Sequence, residues 1–364
     1  MKTYKFLNAG FDHVEFILKD VNSQTSAYER MGFEKVGERH LSKKGLKSVL
    51  WQQGFVRVLL TQSDGTPAAE KEESVKFLRN HAEAVCVLAV EVDDARAAYA
   101  ETTANGARSA RTPETFETAE GQVTLAEIWT PGSVRYRFIT RHTPNGLKAP
   151  CLFEEGLVAS RLESPSPMNI RVIDHLTNNV NMGEMKGWVE WYKKVFGFVV
   201  TRSFNIRAAH TGLISDVVES PCGKIKVPIN EGSEPTSQVQ EFCNRIKGTG
   251  VQHLALLTTH LMETLTKLRT KDFKFLTVPH AYYEAVPTRV PNVTENLAEV
   301  EKLGVLLDGD NTGYLLQIFG QEHLGPFFFE YIQRKGNKGF GEGNFSALFE
   351  AIERDQIARG VLKA

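Results

Sequence analysis

The chain repeats itself, and a duplicated chain must fold into duplicated structure. The run Phe11-Asp12-His13-Val14-Glu15-Phe16 opens the first half. Ile173-Asp174-His175-Leu176 opens the second in the same apolar-Asp-His-apolar register. Each opening leads to a short helical segment stopped by glycine and followed by an apolar strand: Tyr28 to Gly32-Phe33 in one half, Tyr192 to Gly197-Phe198 in the other. A second pair of units follows. Ala84 to Val90 corresponds to Gly250 to Leu256, each a strand leading into a helix (Asp93–Asn105 and His260–Thr270), and Val134 to Arg141 aligns with the strand Phe327 to Arg334.

The pattern predicts an α+β protein of four βαβββ-type modules, paired into two open, barrel-like domains, residues 1–150 and 151–364. The connection, residues 142–169, holds Pro144, Pro150, Pro165 and Pro167 and suits a linker. Sites in such a fold belong inside the curved sheets.

The two halves serve as each other's control. At three equivalent positions the second half carries His175, His253 and Glu330, where the first carries His13, Val87 and Arg137. Two imidazoles and a carboxylate from three strands can occupy one face of an octahedral metal and leave the other face for substrate and dioxygen, which makes Fe(II) the expected ion. Valine has no donor atom and a guanidinium repels a cation, so the first half is expected to be metal-free and His13 structural. A carboxylate directly after Phe327-Phe328-Phe329 is costly to bury without a cation, which favours Glu330 as a ligand over a partner of Arg334.

Charge and composition remove other classes. Lys and Arg total 43 against 44 Asp and Glu, so the electrostatic footprint of a nucleic-acid binder is missing. No apolar run is long enough to span a membrane, and Asp12 and His13 interrupt the N-terminal segment where a signal peptide needs an unbroken apolar stretch, so no membrane partner and a cytoplasmic location are expected. Cys86, Cys151, Cys222 and Cys243 lie far apart and read as buried or idle thiols.

The stretches Ile173-Asp174-His175, Gly250 to Leu256, Gly313-Tyr314-Leu315-Leu316-Gln317-Ile318-Phe319, and Phe329-Glu330 through Gln333-Arg334-Lys335-Gly336 to Gly339-Phe340-Gly341-Glu342-Gly343-Asn344-Phe345 together resemble the 4-hydroxyphenylpyruvate dioxygenase family of the vicinal oxygen chelate superfamily. The resemblance covers the whole second half closely and the first half more loosely. It implies His175, His253 and Glu330 as ligands of one Fe(II) per chain, dioxygen as co-substrate, and a substrate that brings its own 2-oxo acid, so that no external 2-oxoglutarate is required. It implies conversion of 4-hydroxyphenylpyruvate to homogentisate in tyrosine and phenylalanine catabolism, by a homodimer or homotetramer. Substrate-facing positions carried over from the family are Ser215, Pro228, Asn230, Gln238, Gln252, Gln317, Phe319, Phe328, Phe340, Asn344 and Phe345.

Strand geometry constrains several of these. Gln317 and Phe319 are two apart and share a face. Gln252 adjoins a ligand, so its presence in the pocket demands a bulge or a strand end. The glycines 336, 339, 341 and 343 make a flexible loop, Asn344 is placed to cap a helix, and the spacing Phe345, Leu348, Phe349, Ile352 gives that helix an apolar face, making it a lid. Three alternatives stand beside this reading: a hydroxymandelate synthase acting on the benzylic carbon, an extradiol dioxygenase cleaving catechols, and a metal-free binding protein of the same fold.

Overall fold

A computed structural model describes residues 4–7, 10–118, 121–142, 152–160, 164–207 and 211–345, with Ile357, Arg359 and Gly360 beyond. Cys151 and the apolar face at Leu348, Phe349 and Ile352 lie outside the described residues. Cys86 and Cys243 are buried and Cys222 is exposed, all three as free thiols.

The first half begins with β1 (His13–Leu18), α1 (Thr25–Arg30), β2 (Glu34–Leu41), β3 (Leu46–Gln53) and β4 (Val56–Ser63). After α2 (Glu73–Asn80) the theme recurs as β5 (Ala84–Glu91), α3 (Ala95–Ala104), β6 (Ser109–Thr118), β7 (Gly121–Trp129) and β8 (Arg135–His142). A hairpin, β9 (Leu152–Glu154) and β10 (Leu157–Val158), precedes the second half. There β11 (Ile170–Val180), α4 (Met185–Phe196), β12 (Val199–Arg207), β13 (Gly212–Glu219) and β14 (Lys226–Gly232) repeat the first module, followed by α5 (Gln238–Ile246). The fourth module is β15 (Gly250–Thr258), α6 (Leu261–Thr270), an insertion of three short helices α7 (His280–Glu284), α8 (Val286–Arg289) and α9 (Leu297–Lys302), then β16 (Leu306–Asp310), β17 (Gly313–Phe319) and β18 (Phe328–Lys335). The insertion has no counterpart in the first half.

Each half is one eight-stranded sheet, and the strand orders match: β2-β3-β4-β1-β5-β8-β7-β6 and β12-β13-β14-β11-β15-β18-β17-β16. The four βαβββ modules are therefore observed. The hairpin β9–β10 follows the expected division at 150/151 yet packs on the first sheet. Leu157 and Ala159 are buried with Val36, Leu50 and Leu59, and Glu155 pairs with Lys44 and Arg111.

Helix boundaries follow local chemistry. Asp94 caps α3 by accepting from the backbone N–H groups of Arg96 and Ala97, and Ser237 caps α5 by accepting from Gln240. Gly197 ends α4 in the left-handed conformation, φ 62°. The buried face of α4, Trp188, Val189, Tyr192, Val195 and Phe196, packs on the other half: Phe196 meets Tyr136 of β8 with ring centroids 5.0 Å apart, and the Tyr192 and Tyr136 hydroxyls are 3.0 Å apart. The reciprocal contact uses the equivalent residues, with Tyr28 of α1 against Phe329 of β18. One continuous apolar core thus joins the halves.

Candidate metal centre

Strand register brings the triad together. His175 on β11 pairs with Ala255 on β15, and Ala255 pairs with Glu330 on β18, so all three lie in one row across three hydrogen-bonded strands. In the next row Thr177, His253 and Phe328 are aligned. His253 is two residues from Ala255 and therefore on its face. The result is two Nε2 atoms and one carboxylate oxygen converging: His175 Nε2 and His253 Nε2 stand 3.4 Å and 3.3 Å from Glu330 Oε2. The three ligand atoms lie within 4.8 Å of one another, the one such group among the described residues.

Two bulges refine the site. Register slips between Ile173 and His175, so Asp174 is an extra residue whose carboxylate turns alongside its neighbour's ring. His175 Nδ1–H donates to Asp174 Oδ1 at 2.9 Å, and Asp174 also accepts two N–H groups from Arg334, at 2.6 Å and 2.8 Å. A second slip, where Thr177 opposes His253 but Asn178 opposes Val251, makes Gln252 the extra residue of β15. This is the bulge its role requires, and His253 Nδ1–H donates to Gln252 Oε1 at 3.2 Å. Both rings are thereby fixed in the tautomer that presents an Nε2 lone pair inward. Thr177 Oγ1 lies 2.9 Å from His253 Nε2.

The electrostatics suit a cation. Burial pushes Glu330 up, but hydrogen bonds and charge from His175 and His253 outweigh it and lower the carboxyl to about 2. Its second oxygen is buried without a hydrogen-bond partner. Burial also pulls both imidazoles down. In His175 the hydrogen bonds to Asp174 and Glu330 overcome it and the net shift is upward, whereas in His253 burial wins and the net shift is downward. An ionised carboxylate with an orphaned oxygen, facing two oriented imidazole nitrogens, is a donor set that fits a divalent transition metal.

The space in front of the triad is lined by His175, Thr177, Leu213, Pro228, Asn230, Gln238, Val239, Gln252, His253, Phe319, Glu330, Phe340 and Phe345. Seven of the expected substrate-facing residues are therefore on its wall: Pro228, Asn230, Gln238, Gln252, Phe319, Phe340 and Phe345. Four are not. Phe328 stacks on the His253 ring, 4.9 Å between centroids, and lines a neighbouring cavity of about 360 Å³ that shares Gln238 and Gln252. Ser215 pairs with Asn230 across β13–β14 and its buried hydroxyl has no partner. Gln317 is fully buried with both amide atoms unpartnered, covered by Gly341. Asn344 closes a 3₁₀ turn and its side-chain oxygen accepts from Tyr282; the helix it is expected to cap runs into residues outside those described. Thr177 and Leu213 extend the expected set. Each is two residues along a strand from an expected position, so the pleat alone implies them. Val239 reaches the wall from α5, which no strand pattern signals. The open volume is only about 30 Å³, and on its wall Phe340 lies edge-on to His175 at 5.2 Å.

The first half shows the same scaffold with other occupants. His13 donates from Nδ1 to Asp12 at 2.8 Å and is fully buried. At the place equivalent to Glu330, Arg137 pairs with Glu15 at 2.9 Å and Glu127 at 2.6 Å, while Arg135 pairs with Glu127 at 2.7 Å. A tethered cation fills the position of the carboxylate ligand.

Residues 6–145 match the family profile described as hydroxyphenylpyruvate dioxygenase, N-terminal, and residues 172–286 match that of the glyoxalase/bleomycin resistance protein/dioxygenase superfamily. The chain is 38% identical over 357 residues to 4-hydroxyphenylpyruvate dioxygenase of Legionella pneumophila (strain Corby), covering 97% of this chain and 96% of that protein. It is 37% identical over 358 residues to 4-hydroxyphenylpyruvate dioxygenase of Pseudomonas aeruginosa, with the same coverage. Among solved structures, a substituted variant of 4-hydroxymandelate synthase from Streptomyces coelicolor superimposes with a TM-score of 0.82 at 24% identity, over 96% of this chain and 99% of that one. Among the described residues no helix is long and apolar enough to cross a membrane.

Proposed function

The chain belongs to the 4-hydroxyphenylpyruvate dioxygenase family, and from that premise we propose how its site performs the family's reaction, with a single Fe(II) held by His175, His253 and Glu330. The enzyme converts 4-hydroxyphenylpyruvate and dioxygen to homogentisate and carbon dioxide, a step of tyrosine and phenylalanine catabolism. The observation that carries the assignment of the centre is the convergence of three ligand atoms within 4.8 Å on adjacent strands. When bound, Fe(II) supplies a centre at which the substrate's own 2-oxo acid and dioxygen meet, so no external 2-oxoglutarate is needed.

The protein's part is orientation and exclusion of water. Asp174 and Gln252 hold the two imidazoles with Nε2 forward. The rings of Phe319, Phe340 and Phe345 wall the space and keep the aromatic substrate dry. The amides of Asn230, Gln238 and Gln252 face the same space and suit the phenol and carboxylate ends of the substrate. On this reading Ser215, Gln317, Phe328 and Asn344 come to face the substrate as the pocket widens. A space of about 30 Å³ holds little more than a water molecule, so substrate entry displaces Phe340 and Phe345. Displacement of Phe328 would join the space to the neighbouring cavity. The same reading places the protein in the cytoplasm as a homodimer or homotetramer.

The test is anaerobic loading with Fe(II), addition of 4-hydroxyphenylpyruvate and oxygen, and identification of the aromatic product by chromatography and mass. Homogentisate, absent in Glu330→Ala, supports the reading. 4-Hydroxymandelate would keep the centre and overturn the regiochemistry. Iron bound without oxygen uptake would redirect attention to catechols.

A further inference from the structure

Arg334 has two sets of contacts that meet nowhere else in the described site. Its Nε and Nη2 hold Asp174, the acceptor for His175 Nδ1–H. Its remaining nitrogen, Nη1, donates to the backbone carbonyls of Gly339 at 2.5 Å and Asn337 at 3.3 Å. Its guanidinium also lies 5.7 Å from the ring of Phe340, the side chain that walls the site edge-on to His175. One planar, permanently charged fork therefore spans a metal-ligand support and the turn that carries this ring.

The other half carries part of the same arrangement. Arg141, equivalent to Arg334, grips Asp12 with two N–H groups at 2.8 Å and 3.0 Å, and Asp12 accepts from His13. The Arg-Asp-His chain is thus common to both halves. The difference lies one strand away. Glu91 of β5 pairs with Arg141 at 3.2 Å, whereas the equivalent position on β15 is Leu257. Leu257 offers no carboxylate, and Arg334 Nη1 donates to the carbonyls of the glycine-rich turn.

We propose that Arg334 is a positioning residue that couples the metal ligand His175 to closure of the 336–345 turn, so that occupation of the centre and docking of Phe340 favour each other. A metal on His175 Nε2 polarises the ring and strengthens the Nδ1–H bond to Asp174. That fixes the Arg334 fork in the orientation that binds Gly339 and Asn337. By reciprocity, an undocked turn weakens the support of His175. The inference rests on the metal reading of the triad but not on the identity of the substrate.

The experiment uses the full chain with Co(II) as a redox-quiet ion, comparing wild type, Arg334→Lys and, as a scaffold control, Arg141→Lys. Hydrogen exchange is followed at the amides of residues 339–345 with and without metal, and metal affinity is measured by competition with a chelator. In wild type, metal slows exchange there about tenfold. In Arg334→Lys, which keeps a charge beside Asp174 but cannot reach both sides, metal still binds, the protection is lost, and KM for the substrate rises about tenfold with a smaller change in kcat. Arg141→Lys keeps the protection. Equal protection in Arg334→Lys and wild type overturns the coupling, as does its loss in Arg141→Lys. A wild-type protein that binds no Co(II) or Fe(II) would instead sink the metal reading itself. Should Arg334→Lys prove unfolded by circular dichroism, Asp174→Asn breaks the same chain one link earlier, with the same expected and refuting outcomes.

Discussion

Replacing Glu127 by glutamine tests the claim that the first half is stabilised by buried charge where the second half takes a metal. Glu127 is 1% exposed and lies between Arg135 and Arg137. Burial alone would raise its carboxyl, but the two guanidinium groups outweigh burial and lower it from the ordinary 4.5 to about 2. A carboxyl so lowered contributes about 3 kcal/mol at neutral pH. Removing one partner of a buried pair costs about 3–5 kcal/mol on independent grounds, because the remaining charges lose their counter-ion. We expect Glu127→Gln to lower the unfolding free energy by about 3 kcal/mol at pH 7, and the melting temperature by roughly 4 °C. Because the folded value lies below the unfolded one, the contribution is fully present above pH 4.5 and fades as pH falls towards 2. At pH 3 about half of it remains. Urea unfolding of both proteins at pH 7 and pH 3 measures this, with metal content and turnover at 20 °C as controls that should not change. A loss below about 1 kcal/mol at pH 7, or a difference that does not shrink at pH 3, would refute the reasoning.

Other outcomes follow from the same geometry. Gly341 has φ 77°, and an added Cβ would stand 1.7 Å from Gln317 Oε1, so Gly341→Ala should cost about 1–3 kcal/mol and raise KM by displacing the turn or the amide, read by thermal melting and steady-state kinetics. Metal at a hundred times its dissociation constant should stabilise wild type by about 2.7 kcal/mol and leave Glu330→Ala unmoved in the same titration. Burial lowers His323 to about 4, so its neutral form favours the fold; that stability is present above the ordinary 6.5 and is lost as pH falls towards 4. His323→Phe, a swap within the aromatic cluster with Tyr28 and Phe329, should remove about 1–2 kcal/mol of the fall in unfolding free energy between pH 7 and pH 5, read by urea unfolding.

The modules and the triad are legible because duplication supplies an internal alignment, in which Val87 and Arg137 mark by contrast what His253 and Glu330 do. Residues two apart on a strand are legible for a simpler reason: Thr177 follows from His175 and Leu213 from Ser215 through the pleat. Gln252 shows where alternation fails and why, since only a bulge can aim two neighbours at one space. Asp174 sits at a second such bulge, which nothing in its own sequence marks. The placement of Phe328 behind His253 depends on a ring rotamer, and that of Val239 on how α5 docks. Helices α7 to α9 have no partner in the first half, so the repeat that reveals the other elements is silent on them.

The ligands sit side by side on β11, β15 and β18, yet 78 and 77 residues separate them along the chain. Closing each interval in an unfolded polymer costs about 4 kcal/mol of chain entropy, so a denatured or half-made chain presents at most isolated imidazoles and no chelate. During synthesis the ion has no home until Glu330 has emerged and β18 has docked beside β15. Metal content is therefore a record of folding: a protein that carries its metal has paired β11, β15 and β18, and one that unfolds releases the ion in the same event.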